Sequence, residues 1–273
     1  MTSTAIDVWN LETFDKALLA ELNAWRDLLR NYELTSKRNF LEQQNAKGWV
    51  PLKSNTYADE RNYVVEQFIM PAIGQRIIRA WHHTRLTDDE TAFLESDGIY
   101  VSDLAKIRRR LDALVAASML SVRIADALYV ASPFHQQNES RSGKFWMTSH
   151  PVFPDDSGVE LLLAHWGGEG VYFWLKDPKL IELLKSFGRA RVIELAVPLL
   201  VTPDAYSAAN AVVATYVKSL GCEPDWSAFD LYTTSALGAD AVLNIHTEGD
   251  PNFAALARGY PAGFIDRDSY DPD

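Results

Sequence analysis

The stretch "RAWHHTRLTDDETAFLESDGIY", residues 79–100, puts two adjacent histidines between an apolar stub and a helix-start signal. Side chains alternate along an extended segment, so a short strand over Arg79–Thr84 places His82 and Thr84 on one face and Trp81 and His83 on the other. The "TDDE" that follows predicts a capping box, with Thr87 accepting from the first helical turn and Glu90 reaching back to it. Gly98 ends that helix, and "IYV" predicts a further strand.

Downstream, Ser102 or Asp103 caps a helix whose apolar face is Leu104, Ile107, Leu111, Leu114 and Val115. The "KIRRR" within it spreads its charges round the helix, which predicts a solvated face. Residues 131–156, "ASPFHQQNESRSGKFWMTSHPVFPDD", have no period and read as a long loop of the functional or mobile kind. "VELLLAHWGGEGVYFWL" gives an apolar run, a Gly-Gly turn and a predicted strand over 171–175, on which Tyr172 and Trp174 share a face. Asp177-Pro178 starts a helix that Gly188 ends. "RVIELAVPL" then predicts a strand, "AANAVVATYVKSLG" a helix, and "FDLYTTS" and "AVLNIHT" two more strands. No nucleotide-binding glycine fingerprint follows any strand, which weighs against Rossmann and P-loop folds.

Upstream, Leu11, Phe14, Leu18, Leu22, Trp25 and Leu29 recur at three- and four-residue steps, the mark of one helical stripe. Periodicity fades over 31–57, and a second helix is predicted from Asp59 to Met70, broken by Pro71 and Gly74. Residues 1–78 therefore read as a helical N-terminal extension to an α/β domain spanning 79–273.

The chain has 273 residues and is 47% hydrophobic, enough for a substantial core. Its formal charge of -11 is concentrated late: from Ser219 onward two basic residues, Arg258 and Arg267, face ten acidic ones. That end repels phosphate backbones. A single cysteine, Cys222, excludes an internal disulfide and a multi-cysteine zinc site, and fits a reducing compartment. The N-terminus shows no basic segment followed by an apolar block, and no stretch has the length to span a bilayer. A cytoplasmic location without membrane partners is expected.

The order of elements adds a resemblance. A His-x-Thr strand leading to a helix and "GIY", a later Gly-flanked "GVYFW", then a helix, a strand and an acid-bearing strand, resembles the ADP-ribosyltransferase superfamily. The likeness is to its His-Tyr-Glu/Asp branch, which includes diphtheria-type and DNA-modifying toxins, and it covers about residues 79–248. It implies an α/β (α+β) fold of the split β-sandwich type with flanking helices. It implies NAD as substrate, with His82 bonding the ADP-side ribose, Thr84 supporting it, Tyr172 stacking on nicotinamide and Trp174 beside the cofactor. Asp230 is the expected catalytic acid, with Glu194 and Glu248 as alternatives, because no Glu occupies the strand start after "RVIELAVPL". Such a carboxylate would stabilise the oxocarbenium character that develops as nicotinamide leaves. Arg85 and Arg141 would meet the pyrophosphate. The implied function is an ADP-ribosyltransferase or other NAD-consuming enzyme, of the kind found in bacterial toxins and defence effectors. The acceptor is a protein, a nucleic acid or a small molecule.

Two other readings stand beside it. His135, His150 and His165 with Asp155, Asp156 and Glu169 suggest a metal-dependent hydrolase, although no HExxH-like pair exists. A degenerate transferase-like fold would serve as a non-catalytic interaction module.

Overall fold

The structure is a computed structural model that describes residues 5–51, 53–262 and 264. It is a mixed α/β protein whose chain divides into two compact units. The first comprises the described residues of Met1–Arg79, Pro198–Phe229 and Tyr260–Asp273; the second is Ala80–Val197 with Asp230–Gly259. The helix of "AANAVVATYVKSLG", expected in a contiguous domain from residue 79 onward, thus belongs to the same unit as the N-terminal helices.

In the first unit, α1 (Lys16–Ala24) and α2 (Arg26–Gln44), interrupted at Trp25, carry the Leu18, Leu22 and Leu29 part of the predicted stripe; Leu11 and Phe14 precede it, in and after a 3-10 turn, because Asp15 caps α1 by accepting from Ala17 N and Leu18 N. Helix α2 runs well past the point where periodicity fades. Its later buried positions are Thr35 and Asn39, and the Asn39 amide donates to Lys53 O at 3.1 Å, so polar packing replaces the apolar stripe there. Residues rich in Arg, Glu, Leu, Lys and Gln supply the helical propensity. Helix α3 (Ala58–Val64) passes through a π turn (Val65–Ile69) into α4 (Met70–Gly74). Pro71 does not break this run: it falls at the start of α4, immediately after the π turn, whose i to i+5 bonding already departs from the regular ladder that a proline would interrupt. Val64, Val65, Ile69 and Ile73 are fully buried along it. Thr215 and Tyr216, from residues 205–219, tie to this unit's N-terminus: Thr215 Oγ1 donates to Val8 O at 2.7 Å and Tyr216 OH to Asn23 Oδ1 at 2.6 Å.

The second unit is built round strand β1 (Ile77–Leu86), which enters it at Ala80. Helix α5 (Asp88–Asp97) follows with the predicted capping box complete, and ends at Gly98 with φ of 86°. "IYV" forms no strand; only single bridges, Ile99 to Leu237 and Ser102 to Lys144, hold this short connection. Helix α6 (Leu104–Ala116) is capped by Asp103, and α7 (Val122–Val130) by Ser121. A short α8 (Asn138–Arg141) precedes β2 (Phe145–Thr148), a strand inside the segment read as loop. Then come α9 (Glu160–Ala164), α10 (Glu169–Tyr172), α11 (Pro178–Lys185) and β3 (Arg189–Pro198). After α12 (Ala205–Ser219) of the first unit, β4 (Asp230–Thr233) and β5 (Val242–Thr247) complete the sheet.

All five strands lie in one sheet, in the order β4-β2-β1-β3-β5, and no second sheet faces it among the described residues. Its register runs Trp81 to Thr148 to Asp230 on one side, and Glu194 sits opposite Asn244 on the other. A core of Ile107, Leu111, Leu114, Leu128, Phe134, Trp166, Val171, Leu184 and Phe187 joins α6, α7 and the helices after β2.

The predicted strand over 171–175 is corrected by this packing. Gly167 and Gly168 both adopt positive φ, and their turn launches α10, in which the Val171 and Tyr172 amides donate back to Gly168 O. A Cβ on Gly170 would lie 3.2 Å from Phe134 and Ile107, so close approach of this turn to the core outweighs the strand propensity of "VYFWL". Tyr172 therefore lies on a helix and Trp174 in the turn after it, without the shared strand face. Among the described residues no helix is long and apolar enough to cross a membrane.

Candidate functional site

His82 sits mid-way along β1, half-buried, with its ring 4.4 Å from that of Phe145. Its Nδ1 is 2.8 Å from the carbonyl oxygen of Trp146. A carbonyl only accepts, so Nδ1 carries the proton and donates. Burial holds the imidazole pKa down at about 4; the Trp146 bond opposes this and the positive charge of Arg110 adds to it. At neutral pH the ring is then uncharged, and Nε2 keeps a lone pair that no described residue uses.

Arg110, whose charge is felt at His82, lines a cavity between α5 and α6. Its Nε donates to Glu90 Oε1 at 2.6 Å, and its guanidinium lies 4.6 Å from the Trp166 ring centre. Glu90 is shared four ways: Oε2 also accepts from Thr87 N at 2.9 Å, Thr87 Oγ1 at 3.2 Å and Trp166 Nε1 at 2.8 Å. One carboxylate thus caps α5, neutralises an arginine on α6 and satisfies a fully buried tryptophan. Burial alone would raise its pKa, but Arg110 and the bonds from Thr87 and Trp166 hold it below the ordinary 4.5. The cavity beside this cluster has a volume of about 410 Å³ and is bounded by Phe93, Tyr100, Lys106, Arg109, Leu114 and Met119 among others.

The sequence marked Glu90 only as a helix cap and "KIRRR" only as a solvated face. The structure sorts that run by helical spacing. Lys106, Arg109 and Arg110 share the face that continues through Ala113, Leu114 and Ala117 to line the cavity, while Arg108 turns away to Asp112 and Asp126. The signal available was the three- and four-residue spacing of the cations.

The other expected site residues are dispersed. Thr84, two residues from His82 on the same strand face, is buried. Asp230 pairs with Thr148, which pairs with Trp81, so Asp230 shares the face of Trp81 and His82 points to the opposite one. Glu194 accepts from Asn244 Nδ2 at 2.8 Å and lies 3.5 Å from His246 Nε2. Arg191, three residues earlier and so on the other face of β3, reaches Asp88 at the start of α5. Arg85 is spent on backbone, donating to Phe187 O at 2.9 Å, Leu163 O at 3.3 Å and Gly188 O at 3.0 Å, with Glu248 3.8 Å away. Arg141 pairs with Glu169 and Gln137 and covers the Phe173 ring. Tyr172 packs 5.0 Å from the His165 ring, and burial pushes its phenol up to about 12.

The three histidines of the metal reading do not converge. His135 Nε2 is 3.0 Å from Tyr129 O and His165 Nδ1 is 3.0 Å from Leu161 O, while burial pulls His150 down to about 4 against the opposing charge of Asp156. Among the described residues no group of three or more His, Cys, Asp or Glu could hold a metal ion. Comparison with known proteins returned no matching family model, no matching curated protein and no matching solved structure.

Proposed function

We propose that this chain is an NAD-consuming enzyme of the ADP-ribosyltransferase kind, receiving its dinucleotide on the His82 face of the sheet. The observation that carries the reading is the tautomer of His82. A neutral ring that donates through Nδ1 to a backbone carbonyl presents Nε2 as an acceptor, which suits a ribose hydroxyl. The chain order supports it as well: the His82 strand, a capped helix ending at glycine, and later a helix leading into β3, which neighbours β1 in the sheet. In this reading Arg85 and Arg141 are scaffold residues, since their guanidinium groups are already engaged.

A second reading, a non-catalytic dinucleotide-binding module, is favoured by the register that turns Asp230 away from His82. The two separate in one experiment. NAD is titrated against wild type and His82→Phe by tryptophan fluorescence, and nicotinamide release is followed with labelled NAD in the presence of a cell lysate. Saturable binding lost in His82→Phe, together with release, supports the enzyme; the same binding without release supports the module. Identical responses from wild type and variant remove His82 from the site and both readings with it.

A further inference from the structure

The cavity between α5 and α6 has features that a packed core does not require. Phe93 and Met119 on its wall are exposed by 47% and 43%, although both are large and apolar. Phe93 and Tyr100 meet edge to face at 5.8 Å, and Lys106 Nζ sits 5.0 Å from the Tyr100 ring centre. Five charged residues line the space: Lys106, Arg109 and Arg110 against Asp89 and Glu90, an excess of one positive charge in a chain whose net charge is -11. Glu90 is committed to Arg110, Trp166 and the helix cap, whereas Arg109 forms no ion pair among the described residues. Arg110 Nη2 is sealed from solvent with no acceptor among the described residues. That donor lies out of reach of the cavity itself, so the exposed Arg109 makes the direct contact with an incoming acceptor oxygen while Arg110 contributes its charge to the wall.

We propose that this cavity is a binding site for a small aromatic carboxylate, its ring against Phe93, Tyr100 and Met119 and its carboxylate toward Arg109 and Arg110. A volume of about 410 Å³ suits one or two fused rings with a polar head. The net positive lining selects an anion over a cation of the same shape, and the aromatic wall selects a flat body over inorganic phosphate. The inference does not depend on NAD binding at His82.

Two probes of one shape test it, 2-naphthoate and the uncharged 2-naphthamide, titrated by calorimetry into the full chain. We expect one naphthoate per chain and at least about tenfold weaker binding of the amide, a gap of about 1.4 kcal/mol. Ala113→Trp, at an exposed position on the cavity wall, should abolish binding, and Arg109→Gln should weaken it several-fold and reduce its salt dependence. If thermal melting shows that Ala113→Trp is misfolded, Ala117→Phe fills the same wall one turn on. No saturable naphthoate binding, equal affinity for the amide, or unchanged binding in a folded cavity-filling variant each overturns the proposal. NAD binding is a separate measurement: failure of NAD to bind leaves the naphthoate result standing, and the converse holds.

Discussion

Replacing Glu90 with alanine should be among the most damaging single changes in the second unit. The Glu90 and Arg110 side chains are only 19% and 20% exposed, so their pairing is little screened by solvent. Removing one partner of a buried ion pair costs about 3–5 kcal/mol, because the other charge is left without compensation. Here the Trp166 N–H and the Thr87 amide also lose their acceptor. We therefore expect a loss of about 4 kcal/mol, which at roughly 2–4 °C per kcal/mol lowers the melting temperature by about 8–16 °C. Circular dichroism melts at pH 7 measure it, and a double-mutant cycle with Arg110→Met isolates the pair. The cycle should give a coupling of at least about 1 kcal/mol. The pH dependence has a definite sign: the folded pKa of Glu90 is depressed, so its contribution is present above the ordinary 4.5 and is lost as pH falls through the lower folded value. A Glu90→Ala melt within about 3 °C of wild type, or a cycle with no coupling, would refute the reasoning.

His82, His83 and His150 are held by burial at about 4, 3 and 4, so the unfolded chain binds protons that the folded chain refuses. Stability should be complete above about pH 6.5 and decline as pH drops toward 4; a melting temperature that rises over that range contradicts the neutral assignment. Gly188→Ala should cost at least about 1–3 kcal/mol from its φ of 61° alone. A Cβ there would also stand 2.1 Å from Leu86 O, so urea denaturation should show a clear loss, and a neutral result would argue against this strand entry. Thr215→Val removes a buried bond to Val8 O and should lower stability by about 1 kcal/mol, read from the urea midpoint. Asp230→Asn should leave NAD affinity unchanged in fluorescence titration, since its side chain faces away from His82; a marked loss of affinity would place the dinucleotide on the other face.

What the sequence revealed was local in origin. The strand bearing His82, the Thr87–Glu90 capping box and the Asp103 cap depend on neighbours a few residues away, and all are present. What it concealed was tertiary. Strand β2 is four residues long and flanked by polar segments, so it carries no period of its own and is defined by pairing with β1 and β4. The "VYFWL" run has strand propensity throughout, yet Gly167, Gly168 and the contact of Gly170 with Phe134 turn it into α10. At the site, His82 was legible as one polar residue of an alternating strand. Arg110 and Trp166 were not, because their meeting on Glu90 joins positions 20 and 76 residues away from it.

The chain passes between its two units four times, and this bears on how the protein is made. Helix α2 ends at Gln44, but α12 of the same unit ends only at Ser219 and that unit's last segment begins at Tyr260, while the sheet of the other unit waits for β5 at Thr247. At about 5–20 residues per second, the early helices wait roughly ten to thirty seconds on the ribosome before α12 is synthesised. During that interval the stripe of Leu18, Leu22 and Leu29 has no finished core to enter. That unit can therefore close only after α12 has been made, so its early helices are exposed to chaperones for most of the synthesis of the residues between.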